Sequence, residues 1–166
     1  MVESGLNDAD RASVHAQLGR EPRGVVRVAH RCPCGAPDVV MTLPRLAHGE
    51  PFPTVYYLTC PRLASAIGTL ESSGVMRELE DLLETDSDVS TAYAAAHEAY
   101  LADREALDMV PEISGISAGG MPTRVKCLHV LAAHAMAAGP GVNPLGDMVL
   151  DRLGQWWSTG CCVDQA

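Results

Sequence analysis

Apolar residues fall into three short β-branched runs near the front of the chain. Through the rest they recur at three- and four-residue spacing. Val25-Val26-Arg27-Val28-Ala29 predicts a strand. Asp38-Val39-Val40-Met41-Thr42-Leu43 predicts a second, antiparallel to the first across a tight loop over 32–37. Thr54-Val55-Tyr56-Tyr57-Leu58-Thr59 predicts a third, beyond a loop over 44–53 that holds three prolines. Helical periodicity dominates elsewhere. Asn7 or Asp8 can cap a short helix to about Leu18. Pro61 suits the first position of a helix running to about Ser72. Met76, Leu79, Leu82 and Leu83 make the apolar face of the next, over 75–84. Tyr93, His97, Tyr100 and Leu101 lie on one side of a long helix over 89–109. A helix from Thr123 or Arg124 to Ala138 follows, and Pro144 opens the last. The pattern predicts an α+β fold: a three-stranded antiparallel sheet against about six helices. No linker divides residues 1–166, so one domain is expected, with 1–6 and 158–166 loose.

Composition narrows the function classes. Hydrophobic residues make up 47% of the 166 and charged residues 20%, which fits a globular chain rather than a disordered one. The formal charge of -9 argues against general binding to nucleic acid or anionic membranes. No basic start leads into an apolar run, and no 18-residue apolar stretch exists, so neither a secretory signal nor a membrane span is expected. The expected location is the cytoplasm, where thiols stay reduced. Six cysteines there read as ligands, nucleophiles or buried thiols rather than disulfides.

Four cysteines carry the candidate chemistry. Cys32 and Cys34 sit in the first loop, Cys60 where the third strand meets a helix, and Cys127 in a predicted first helical turn. Cys60 would be the N-cap before Pro61, where helix amides stabilise a thiolate. Arg31, Arg62, Arg124 and Lys126 stand beside these cysteines, and Lys126 is the only lysine in the chain. Cations next to thiols fit an iron–sulfur cluster with ligands Cys32, Cys34, Cys60 and Cys127, or zinc on the same residues. They also fit a nucleophile, Cys60 or Cys127, with His30, His97 or His129 as its base. Plain burial of the thiols is the remaining alternative. On a helix, Cys127 and His129 would point to different sides. His97, between Tyr93 and Tyr100, is expected in the core on a tyrosine hydroxyl.

The run Gly115-Ile116-Ser117-Ala118-Gly119-Gly120 can present amides to an anion at a helix start, with Arg31, Arg62, Arg124 and Lys126 as its binding groups. It can equally be a tight turn that lets helices approach. The P-loop pattern is absent. Cys161 and Cys162 lie in the expected loose tail and read as incidental.

Three segments together resemble an actinobacterial family, domain of unknown function 501. They are Arg31-Cys32-Pro33-Cys34-Gly35, the run from Pro51-Phe52-Pro53 through Tyr56-Tyr57-Leu58-Thr59-Cys60-Pro61-Arg62-Leu63, and residues 115–129. The likeness spans about residues 10–155. It implies a stand-alone cytoplasmic protein, often encoded near a septum-formation initiator and an exopolyphosphatase-type phosphatase. It carries over no catalytic residues. Three functions therefore stand as expectations. The first is a metal-binding protein, with an iron–sulfur cluster or zinc, for redox sensing or structural support. The second is a cysteine-dependent enzyme acting on a phosphate- or sulfur-containing anion. The third is an interaction protein of the division machinery with a packed core.

Overall fold

The computed structural model describes residues 5–163. Its elements run α1 (Asp8–Leu18), β1 (Val25–Arg31), β2 (Pro37–Thr42), β3 (Tyr56–Leu58), α2 (Pro61–Glu71), α3 (Val75–Thr85), α4 (Ser87–Glu105), a 3₁₀ turn (Pro111–Ile113), α5 (Leu128–Ala138) and α6 (Pro144–Leu153). The three-stranded antiparallel sheet and six helices are those the hydrophobic pattern predicts. Strand order is β1-β2-β3, with Val28 opposite Val40 and Val40 opposite Tyr57.

β2 is the central strand, and all six of its residues are buried. Its side chains alternate between two apolar layers, as the period of two requires. Val39 and Met41 join the main core, while Val40 meets Leu6, Val14 and Val25 under α1. β3 pairs over only three residues. The Val55 carbonyl still accepts the Thr42 amide (2.8 Å), but the Val55 amide donates to the Tyr100 hydroxyl (2.9 Å) and the Thr42 hydroxyl donates to the Thr54 carbonyl (2.6 Å), which ends the regular pairing.

The main core is built around α5, which contributes Leu128, Leu131, Ala132, Ala133 and Met136. It meets Leu63 and Ile67 of α2, Tyr93, Ala96 and Tyr100 of α4, and Leu145 and Val149 of α6. Each large aliphatic side chain buried here stabilises the fold by about 1.5–3 kcal/mol. α6 approaches α5 at Gly146, where a Cβ would sit 2.2 Å from the Leu131 carbonyl oxygen. Among the described residues, no helix is long and apolar enough to cross a membrane.

Two expected features differ. α5 begins at Leu128, four or five residues later than its periodicity suggests. The Gly119 carbonyl accepts the Lys126 and Cys127 amides (2.8 and 3.3 Å), and the Gly120 carbonyl accepts that of Arg124 (2.8 Å). These amides close a loop instead of a helix. Gly120 is required there: its φ is +97°, and a Cβ would meet the Arg124 carbonyl oxygen at 2.6 Å. The glycine run is thus the tight turn, and it hands the chain into α5. Of the ends expected to be loose, residues 1–4 and 164–166 lie outside the described residues, whereas Leu6 is buried and the tail up to residue 163 is held. Trp156 and Cys162 pack on the main core, Thr159 accepts from Arg62, and Cys161 is disulfide-bonded to Cys34.

Candidate functional site

Cys127 is the N-cap of α5, with extended backbone (φ −151°, ψ 110°). That conformation removes the helical argument against pairing it with His129. The two side chains lie on one side, with Cys127 Sγ 4.0 Å from His129 Nδ1. Glu71, the last residue of α2, completes the group: its Oε1 is 2.8 Å from His129 Nδ1 and accepts the Leu128 amide at 3.0 Å. His129 Nε2–H donates to the Ala64 carbonyl (3.1 Å). Both ring nitrogens therefore face acceptors, which favours the doubly protonated imidazolium.

The electrostatics follow from this arrangement. The Cys127 sulfur, the Glu71 carboxylate and the Ala64 carbonyl outweigh partial burial and raise the His129 imidazolium to about 9. Burial pushes the Cys127 thiol up. The imidazolium, together with the Val130 amide in the first turn of α5, more than reverses this, and the thiol falls below its ordinary value. The result is a thiol shifted towards thiolate beside an imidazolium that a carboxylate holds. Ligand atoms of Glu71, Cys127 and His129 lie within 4.8 Å of one another, the only such trio of His, Cys, Asp or Glu groups among the described residues. With one oxygen, one sulfur and one nitrogen donor, they could hold a zinc-like cation with an open position.

The pair opens on a cleft of about 290 Å³ lined by Thr54, Tyr56, Tyr57, Leu58, Ala64 and Val130. The expected cations do not line it. Arg31 makes a two-pronged ion pair with Asp10 (2.7 and 2.8 Å), Arg124 pairs with Glu80 (2.9 Å), and Arg62 donates to Thr159. Lys126 is exposed on the loop before Cys127. The other candidate histidines are engaged elsewhere. His30 Nδ1 lies 2.7 Å from buried Asp38, which raises its pKa, and His97 Nδ1 lies 2.7 Å from the Ser117 hydroxyl rather than a tyrosine.

The structure does not place the four expected cysteine ligands in one group. Cys127 works with the end of α2, while Cys60 caps its start, 11 residues and roughly 16 Å away along the axis. The C-x-C loop and the start of α2 instead meet the tail. Cys34 is bonded to Cys161, and Cys162 packs against the core cluster that includes Cys60. Sequence reasoning passed over Glu71, which no spacing links to residue 127. It also discounted the two tail cysteines, 127 residues from their nearest partner in the case of the disulfide.

Residues 28–151 match the model of a family described as a protein of unknown function, DUF501. No curated protein and no solved structure matches the chain. The matched span contains Cys32, Cys34, Cys60, Glu71, Cys127 and His129, and stops short of Cys161 and Cys162. With three quarters of its length under that match, the chain belongs to the DUF501 family.

Proposed function

We propose that the protein is a cysteine-dependent enzyme whose nucleophile is Cys127. The observation that supports this is the Glu71–His129–Cys127 arrangement at the mouth of a cleft. Here the thiolate adds to an electrophilic carbon of a small substrate and the imidazolium supplies a proton to the group that leaves. Glu71 holds the ring and balances its charge. The cleft walls are apolar and tyrosine-rich, and Arg31, Arg62 and Arg124 are occupied elsewhere. The reading therefore takes an uncharged or weakly polar substrate in place of an anion.

Site-resolved alkylation with iodoacetamide tests it. Cys127 should react about 3–10-fold faster at pH 7 than an ordinary thiol, with an inflection below the ordinary cysteine value. H129Q should slow it, because the imidazolium is the group that lowers the thiol. A Cys127 rate indistinguishable from a free thiol, unchanged in H129Q, would overturn the assignment.

A second reading rests on His129 itself. Its Nε2–H is fixed on a backbone carbonyl and its Nδ1 faces the other two donors, the orientation a metal-bound histidine adopts. Protection of Cys127 from alkylation by one equivalent of zinc would favour that reading.

A further inference from the structure

The second face of the sheet is covered only in part. The smaller core under α1 holds Leu6, Val14, Val25 and Val40, with Leu18 and Tyr57 at its border. α1 stops there: Gly19 takes the left-handed conformation (φ +69°), and residues 20–24 lead back to β1. Beyond β2 the loop over 44–53 folds on itself through the pairing of Arg45 with Pro51. It sets Leu46 against Gly24, where a Cβ would lie 3.3 Å from Leu46 Cδ2. Between these segments lies a hollow of about 240 Å³, floored by Val25, Val40 and Thr42 and walled by Leu46, Phe52 and Tyr57. A second hollow of about 740 Å³ shares Arg23 and Leu46 with it.

The charge around the inner hollow is the second observation. Arg20 and Arg23 line it, and both are exposed. Neither meets a carboxylate among the described residues. Arg20 donates to the Glu21 carbonyl (3.2 Å), and Arg23 has no hydrogen-bond partner there. Glu21, between them in the chain, turns to His15 (2.8 Å), and Glu50 borders only the outer hollow. Arg31, Arg45, Arg124 and Arg152 each hold an Asp or Glu. A chain of net charge -9 thus leaves two guanidinium groups uncompensated beside one apolar concavity. The Tyr57 hydroxyl also lacks a partner among the described residues, and its ring lies 6.1 Å from that of Phe52 at a tilt of 41°. Those two rings form an aromatic wall. The Thr42 hydroxyl is spent on the Thr54 carbonyl.

We propose that this hollow binds a small aromatic anion, its ring against Phe52 and Tyr57 over the valine floor and its carboxylate or phosphate head on Arg20 and Arg23. Ligand sites are mostly apolar concavities with a few convergent polar groups, which is the composition found here. A guanidinium fork takes either head through two parallel hydrogen bonds. Burial of the ring supplies affinity, and the arginines select for charge. An uncharged aromatic leaves both guanidinium groups uncompensated, and an inorganic anion gains nothing from the floor. The Cys127 cleft is a different place: of the residues that line it, only Tyr57 also lines the hollow. Binding here is therefore independent of the chemistry proposed for Cys127.

Phe52 is the only phenylalanine in the chain, so 4-fluorophenylalanine labelling gives one fluorine-19 resonance, placed in the hollow. The full chain is titrated with 1-naphthyl phosphate and 1-naphthoate, and in parallel with 1-naphthol and inorganic phosphate. At least one aromatic anion should shift the resonance saturably, and the two half-ligands should bind at least about 10-fold more weakly. Arg20 and Arg23 are exposed, so R20Q and R23Q leave the fold intact. Each should weaken the anion about 5–10-fold, whereas R77Q, at an exposed arginine of α3, should leave its affinity unchanged. A resonance unmoved by both aromatic anions at about 5 mM would overturn the proposal. So would 1-naphthol binding as tightly as the anions, or an affinity that neither R20Q nor R23Q reduces.

Discussion

His134 shows how much one residue's surroundings decide. It is fully buried on α5, stacked on Tyr56 and edge-on to Tyr100, with ring centroids 5.9 and 5.1 Å away. The Asn143 side-chain amide donates to Nδ1 (3.1 Å), so the neutral ring carries its proton on Nε2, which has no partner. Burial pushes its pKa down to about 4. Below pH 6.5 the unfolded chain takes up a proton that the folded chain refuses, so stability falls as pH drops from 6.5 towards 4, by about 3 kcal/mol for this group. Denaturant titrations should show that slope in the wild-type chain and a shallower one in H134Q; parallel profiles would refute the assignment. His129 has the opposite sign. Its contribution is complete below pH 6.5 and is lost as pH rises through about 9. The two histidines stand five residues apart on one helix, and nothing in their spacing distinguishes the acid-resistant core ring from the charged site ring. His129 was legible as a candidate base, but its link to Cys127 was hidden by the assumption of helix at residue 127.

At the scale of elements, strands and helices were legible because one face of each is apolar. The α2, α3 and α4 spans follow from Pro61, the 76–83 stripe and the Tyr93–His97–Tyr100–Leu101 face. What escaped was contact between elements. Gly146 looks like any helix glycine, yet it marks the crossing of α5 and α6. G146A should destabilise the protein by about 1–3 kcal/mol, since the new methyl group meets a backbone carbonyl that cannot move aside. At Gly68, in α2, an added methyl group would have nothing within 4 Å, so G68A should stabilise by about 0.5–1 kcal/mol. Thermal melts of the pair read both signs at once, and equal shifts would show that the crossing is looser than described.

Across the whole molecule, Arg104 ties distant parts together. It is 2% exposed, and its guanidinium donates to the carbonyls of Pro53 (3.0 Å), Ile113 (2.8 Å) and Ile116 (2.6 Å). It thereby joins the approach to β3 and the loop that delivers Cys127 to the long helix α4. R104M should cost about 2–4 kcal/mol by leaving those carbonyls unpaired. It should also slow alkylation of Cys127, which unchanged kinetics would contradict. The sequence marked Cys127 and its glycine loop as a unit, and the structure keeps them so. It could not mark Glu71 or the return of the tail, because both are products of the completed fold.

Glu71 ends α2, and its carboxylate is the contact that ties that helix to the Cys127–His129 pair. The charge on the pair and the filling of the cleft it faces are then linked quantities. By whatever factor a bound ligand changes the proton affinity of the pair, protonation of the pair changes the ligand's affinity by the same factor. A pH titration of the empty and the filled cleft is thus also a measurement of binding.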